Sequence, residues 1–436
     1  MKISLFRFLV YSAAVPVLAC AASRDIAWRE TAAQRHDPFL EAEGNDLRSG
    51  HGTGDVVVLR GVNLGGWLNI EPWMAPMDSS KLHDEWSALD ILTKRFGKEM
   101  CAQLFDVYRD TYIQTNDLDN IASFGLNVIR LPVWYRTLQE EDGSWRPDGF
   151  RRMDWLVAEA WKRGIYTIID LHGAPGGQSD KDGTGRVRKK DVNGLQPELW
   201  SSETNLQRTV EIWQRIVKRY RGNPAVAAYD LLNEPMGAPS RDAIWSLYDR
   251  LYKAIRAIDQ DHVITIESCW SGKVDGKDFG WNWHVLPRPE QFGWSNMLYQ
   301  HHNYEWNWND PQKQVRSTDH IVSEWQRNKA YGVPVFIGEF NCMSAPDAWV
   351  HTMNTYTTNG MSWALWNYKA TAGTGDNSWG LYNPKKPVPP KPNLQKDSAE
   401  EIAAKWAKWS TAESFAINPM IGRALRGSLE IPMVGK

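Results

Sequence analysis

Two glutamates hold the most chemistry in this sequence. Glu234 lies in Asn233-Glu234-Pro235, and Glu339 lies in Ile337-Gly338-Glu339-Phe340. Glycosidic cleavage needs two carboxyl groups on one bond. One stays protonated to hand its proton to the departing oxygen, and the other is ionised to attack the anomeric carbon. A gap of roughly 5–5.5 Å gives retention through a covalent glycosyl-enzyme, and a wider gap leaves room for water and inverts. Taken singly, each glutamate is equally well explained as a salt bridge at a strand end.

The residues around the pair fit the same chemistry. Asn233 can hydrogen-bond a sugar 2-hydroxyl, a contact that strengthens in the transition state. Tyr304 can donate to Glu339, and Arg130 can hold it ionised by charge. His172 and His302 bind hydroxyls or tune Glu234; the plainer reading is two satisfied buried histidines. Neither HxH nor HExxH spacing occurs, and Cys101, Cys269 and Cys342 lack CxxC spacing. No metal and no cofactor are therefore expected. Cys101 reads as an apolar filler in a helix, and a disulfide between Cys269 and Cys342 stays open.

These side chains need elements that bring them together. Short β-rich apolar runs alternate with helical patterns, as in βαβ units. Eight strands are expected, at 56–62, 127–133, 166–171, 226–232, 263–267, 297–301, 335–338 and 362–366. Between them, Leu206, Val210, Trp213, Val217 and Tyr220 recur at helical spacing, as do Ile244, Leu247, Leu251, Ile255 and Ile258. Ser398 with Glu401 makes a capping box before a last helix with Trp406 and Trp409. The expected fold is α/β, a (β/α)8 TIM barrel. Its C-terminal strand ends would gather Arg130, His172, Asn233, Glu234, His302, Tyr304, Glu339 and Trp366 in one ring.

Composition sets limits. A formal charge of −2 over 436 residues gives no basic field for nucleic acid or anionic membrane. The 24 tryptophans are either core rings or flat platforms for sugars. Trp270, Trp281, Trp283 and Trp294 share one long segment after the fifth strand, expected to wall a substrate cleft. The segment 173–200 carries Arg186, Arg188, Lys189 and Lys190, read as a solvated loop rather than a phosphate site. Residues 385–392, rich in Pro and Lys, read as an extended connector.

Residues 1–20 read as an export signal: Lys2 and Arg7 precede an apolar run too short to span a bilayer. Cleavage is expected at Ala19-Cys20-Ala21, or at a lipobox-like Val17-Leu18-Ala19-Cys20 that would leave lipid on Cys20. That lipid would be the sole membrane attachment of an exported protein, whether secreted, periplasmic or surface-anchored. Residues 21–54 read as a polar arm, and 55–436 as one catalytic domain, expected to act as a monomer on a polysaccharide or oligosaccharide.

The chain resembles glycoside hydrolase family 5, a barrel family of retaining enzymes, from about Val56 to about Pro384. The resemblance rests on Asn127-Val-Ile-Arg-Leu-Pro, Asn233-Glu-Pro, His302-x-Tyr304, Ile337-Gly-Glu-Phe and Trp363-Ala-Leu-Trp366, in this order. It implies Glu234 as acid/base and Glu339 as nucleophile, with Arg130, His172, His302, Tyr304 and Trp366 around them. Arg60-Gly-Val-Asn-Leu-Gly-Gly-Trp67 followed by Glu71-Pro-Trp73, and Asp170-Leu-His-Gly-Ala-Pro-Gly-Gly-Gln178, are similar to the exo-β-1,3-glucanase group. There the acid matching Glu71 contacts the nonreducing-end sugar. Departures follow Gln178, where Ser-Asp-Lys-Asp-Gly stands, and Glu339, where Phe-Asn stands. β-1,3-Glucan is the first expectation. Endo-β-1,4-glucanase and β-mannanase action stay open, as do transglycosylation and a non-catalytic carbohydrate-binding role.

Overall fold

The computed structural model describes residues 38–78, 80, 82–308, 310–374 and 377–429. The expected signal, Cys20 and residues 21–37 lie outside the described residues. Eight parallel strands close into a barrel. They are β1 (Arg60–Asn63), β2 (Val128–Trp134), β3 (Tyr166–Gly173), β4 (Val226–Asp230), β5 (Val263–Glu267), β6 (Met297–Tyr304), β7 (Val335–Asn341) and β8 (Ser362–Leu365). Each pairs with its sequence neighbours, and β8 closes onto β1 through Trp363 with Arg60, Ala364 with Gly61 and Leu365 with Val62. β2, β3 and β7 are buried along their whole length. Parallel strands covered on both faces read this way, as near-continuous apolar runs.

The helices form the outer layer: α1 (Glu85–Tyr112), α2 (Thr115–Ser123), α3 (Arg151–Lys162), α4 (Glu203–Tyr220), α5 (Arg241–Arg256), α6 (Pro311–Arg327), α7 (Pro346–Thr358), α8 (Ala399–Trp406) and α9 (Pro419–Leu429). α4 is capped by Ser202, whose side chain accepts from Asn205 N–H, and buries Val210, Trp213, Val217 and Tyr220. α5 buries Ile244, Leu247, Leu251 and Ile255 as the spacing requires. Ser398 and Glu401 form the capping box of α8. α1 has a break at Gly97, with φ 83°, a conformation that costs a glycine little. Among the described residues, no helix is long and apolar enough to cross a membrane.

Two expectations change. Residues 38–54 are not a loose arm. Glu41–Glu43 pairs antiparallel with Asp46–Arg48, Leu40 and Leu47 are buried, and Tyr166 donates to the Pro38 carbonyl at 2.9 Å. Two leucines among polar neighbours suffice to seat this hairpin on the barrel, and the first barrel strand begins at Arg60 rather than Val56. The segment 270–294 is not an open aromatic wall either. Trp270, Trp283 and Trp294 are buried, and their indole N–H groups donate to Ala238 O, Ile321 O and Asp249 Oδ1. Rings with internal acceptors belong to the core.

In the segment 173–200, Arg186 stacks 3.9 Å over Trp86 and Arg188 is buried beside Glu198, while Lys189 and Lys190 are exposed. Cys101, Cys269 and Cys342 are all unpaired.

Candidate active site

Arg130, from β2, is fully buried and organises the C-terminal end of the barrel. Its Nε donates to Asp230 at 2.8 Å. One terminal nitrogen donates to Glu339 Oε1 at 2.8 Å and Asn63 Oδ1 at 3.1 Å. The other donates to Asn233 Oδ1 at 2.8 Å and Glu267 at 2.9 Å, and lies 3.0 Å from Asp170. A planar fork can serve this many acceptors where a lysine could not. Burial opposes its charge, but Asp170, Asp230, Glu339 and Glu267 together raise it well above the usual guanidinium value.

Glu339, on β7, is oriented from two sides. Oε1 accepts from Arg130, and Oε2 accepts from Tyr304 OH at 2.7 Å. Burial and the negative Glu339 keep Tyr304 a neutral phenol, able to donate. Glu234 follows β4 and is half-buried. Its φ is 38°, a sparsely populated region for a residue with a side chain. The Glu267 carboxylate grips this backbone, accepting Glu234 N–H at 2.6 Å. Burial penalises that carboxylate, but His302, Arg130 and the Glu234 N–H outweigh the penalty and hold it near 2.

His302 Nδ1 lies 2.9 Å from Glu234 Oε1 and 3.6 Å from Glu339 Oε2. These two oxygens therefore cannot be further apart than the sum of the two distances. That ceiling lies at the lower edge of the roughly 6.5–9.5 Å separation that admits a water in inverting enzymes. Burial works against a charged His302, while Cys269, Glu267 and Glu339 act the other way and raise it overall.

The opposite wall comes from β3, β8 and the segment after β1. His172 Nδ1 lies 2.6 Å from Asp170 Oδ2, and its ring stacks on Trp366 with centroids 5.5 Å apart. Burial lowers His172 to about 4, so a neutral imidazole donates a hydrogen bond from its Nδ1–H to Asp170 Oδ2. Its Nε2 edge and the Glu71 carboxyl both flank Gly183, where a Cβ would lie 3.5 Å from Nε2. Glu71 accepts from Trp73 Nε1 at 2.9 Å, and burial followed by the nearby Asp182 raises it well above the usual carboxylate range.

Every site residue expected from sequence thus lies at this end of the barrel. Arg130, Asn233, Glu234, His302, Tyr304 and Glu339 share one hydrogen-bonded network, and Glu71, His172 and Trp366 line the facing wall. His172 does not touch Glu234; that contact belongs to His302.

Several residues at this end of the barrel are not among those expected from the sequence. Glu267 closes β5 at the same end of the barrel as Glu234 and Glu339, and that position was the available signal. Asp170 and Gln178 sit inside segments already singled out. Gln178 donates to the His172 and Asn233 carbonyls at 2.7 and 2.8 Å, tying β3 to β4. Asp230 and Gln300 had no signal, because an inward strand position next to Arg130 is a property of the closed barrel. Trp73, Tyr304, Trp306, Trp308 and Trp379 also gather at one rim, with Trp379 within 5.1–6.1 Å of the other four rings. Trp306 is 64% exposed.

Asp170, Asp230 and Glu267 converge as cation ligands would, but the cation they surround is Arg130. Glu234, Cys269 and His302 form a second such group.

Residues 92–372 match the family described as Cellulase (glycosyl hydrolase family 5). A beta-xylosidase of Phanerodontia chrysosporium is 27% identical over 345 residues, 72% of this chain and 68% of that protein. A probable glucan 1,3-beta-glucosidase A of Neosartorya fischeri is 28% identical, over 62% of this chain and 65% of that protein. The Aspergillus terreus protein of the same description is 31% identical, over 48% and 49%. The chain thus spans about two thirds of the first two relatives and about half of the third. Among solved structures, a rutinosidase from Aspergillus niger superposes with TM-score 0.59 at 17% identity, covering 74% of this chain and 95% of that one. An endogalactoceramidase does so with TM-score 0.56 at 19%, covering 85% of each. These two likenesses bear on the barrel alone, and the matched span includes both Glu234 and Glu339. The chain belongs to glycosyl hydrolase family 5.

Proposed function

We propose that this protein is a retaining glycoside hydrolase that cleaves the β-glucosidic bonds of a β-glucan, with β-1,3-glucan as the favoured substrate. The supporting observation is that Glu234 and Glu339 face a single His302 nitrogen at 2.9 and 3.6 Å, with Glu339 already fixed by Arg130 and Tyr304. In the first step Glu234 gives its proton to the glycosidic oxygen as Glu339 attacks the anomeric carbon. The carbon–oxygen bond breaks, the aglycone leaves, and a glycosyl ester forms on Glu339. In the second step Glu234 takes a proton from water, whose oxygen displaces Glu339 from the anomeric carbon.

Arg130 and Tyr304 favour the ionised Glu339 and bind it again when the ester breaks. Asn233 Oδ1 is committed to Arg130, so the amide group it offers a sugar 2-hydroxyl is the Nδ2 donor. The Glu71, His172 and Trp366 wall suits a terminal sugar, and the description of two relatives as glucan 1,3-beta-glucosidases supports the linkage. The export expected from residues 1–20 agrees with a polymeric substrate outside the cell.

The test is a panel of laminarin, carboxymethylcellulose, mannan and xyloglucan with products sized over time. Glucose of retained anomeric configuration, released from laminarin from the start, is the expected result. A ladder from carboxymethylcellulose or mannan would move the assignment to endo-β-1,4-glucanase or β-mannanase. Absence of release from every β-glucan would defeat it.

A further inference from the structure

We infer that Glu234, Cys269 and His302 form a binding site for a thiophilic divalent cation such as Zn2+ or Cd2+, and that the bound cation blocks the enzyme. One ligand atom from each of the three lies within 4.8 Å of the others. One carboxylate, one thiolate and one imidazole are three of the four ligands a tetrahedral zinc ion takes, leaving a vertex for water. Zinc bonds of about 2.0–2.3 Å put neighbouring ligand atoms roughly 3.3–3.8 Å apart, so the group needs only a modest contraction.

Three features of the surroundings favour the ion. His302 Nδ1 is the nitrogen facing Glu234, while Nε2 lies 3.5 Å from Glu267 Oε1 and 3.3 Å from Gln300 Nε2. A carboxylate behind the second ring nitrogen is the arrangement that orients metal-binding histidines. Glu234 is held in place through its own backbone N–H by that same Glu267. Glu339 Oε2, 3.6 Å from Nδ1, adds negative charge without needing to coordinate. Cys269 and His302 are buried, but the Glu234 side chain is 18% exposed, so the ion enters past Glu234. The other described cysteines lack such company: Cys342 lies against Thr352, and Cys101 against the Leu89 carbonyl.

Binding replaces the thiol hydrogen and the His302–Glu234 hydrogen bond with three bonds to the metal. The thiol proton is released, as is the Nδ1 proton where one is present, and no oxidation occurs. Binding does not depend on what Glu234 does in catalysis. Inhibition does, because a coordinated Glu234 cannot carry a proton.

The experiment titrates the whole, substrate-free enzyme with CdCl2 and reads the ultraviolet thiolate-to-cadmium charge-transfer band, with ZnCl2 inhibition measured in parallel. The expected result is one cation per chain at roughly micromolar concentration. In Cys269→Ser, and independently in Cys269→Ala, the band should vanish and the inhibitory concentration should rise on the order of 100-fold. The double variant Cys101→Ser/Cys342→Ser should keep the band, and a chelator should restore turnover. Absence of a band in the wild type, its persistence in both Cys269 variants, or its loss in the double variant would each overturn the site. A band lost in the Cys269 variants with turnover indifferent to the cation would uphold the site and count against Glu234 as the acid.

Discussion

The two ends of the barrel use the same residue types to opposite ends. At the N-terminal end, Asp259 Oδ2 pairs with His262 Nδ1 at 2.6 Å and accepts Tyr229 OH at 3.0 Å, while Oδ1 accepts two backbone N–H groups. His262 Nε2 meets the Asn223 carbonyl, Arg256 donates to the His262 carbonyl at 2.8 Å, and the Phe39 ring closes over His262 at 5.3 Å. Every polar group in that list is committed within the chain. At the C-terminal end, Arg130, Glu339, Tyr304, His302 and Glu234 are equally well bonded, but the Glu234 side chain is part exposed and its backbone is strained. A closed network stabilises; an open one keeps lone pairs for a ligand and gives up stability to do so.

This contrast can be broken by substitution. Glu339→Ala should have the largest effect, lowering kcat on the best β-glucan by on the order of 10^4-fold or more. Its melting stability should stay within about 1 kcal/mol, since Arg130 keeps three other carboxylates. A large loss of stability instead would make Glu339 a structural residue.

Asp259→Ala is the mirror image. It should destabilise the protein by about 3–5 kcal/mol in urea unfolding, leaving a buried histidine and tyrosine hydroxyl without their partner. The kcat of the folded enzyme should be unchanged; a fall in kcat would mean that the two ends are coupled. Trp283→Ala should cost a similar amount, about 3–5 kcal/mol, again with KM unchanged.

A smaller effect comes from pH. His172 is about 4 in the folded state and roughly 6.5 when unfolded, so the unfolded chain binds the proton more readily. Its share of the stability is therefore complete above about pH 6.5 and lost as pH falls through about 4. Urea midpoints measured across that window should fall more steeply for the wild type than for His172→Asn. Equal slopes would show that His172 does not carry the titration.

Trp306→Ala should have the smallest effect. An exposed ring stacked on Tyr304 at 5.6 Å offers a sugar a flat face, and its loss should raise KM about 2- to 10-fold, equivalent to roughly 0.5–1.5 kcal/mol. Stability should change by less than about 0.5 kcal/mol. An unchanged KM would remove Trp306 from the substrate path.

The eight strands, the spacing of α4 and α5, and the capping box of α8 were legible because they depend on local periodicity. Glu234 and Glu339 were legible because each follows a strand at the same end of the repeat. The fate of the tryptophans was not. Trp283 and Trp306 are alike in sequence context, both set in aromatic segments beyond a strand. What separates them is whether a carbonyl such as Ile321 O and an apolar neighbour wait on the far side, which only packing supplies. The 38–54 hairpin was missed for a similar reason, since its anchors are Leu40, Leu47 and a single tyrosine hydroxyl distant in sequence.

The sequence by itself thus determined the repeat, the barrel and the two acidic residues, because periodicity and strand ends are written along the chain. The tertiary structure alone decided that Arg130 would be shared among Asp170, Asp230, Glu267 and Glu339, and that His302 would stand between the two glutamates. Charges interact through space and fall off with distance. Their partners are therefore fixed only when the sheet closes and brings strands far apart in sequence within hydrogen-bonding reach.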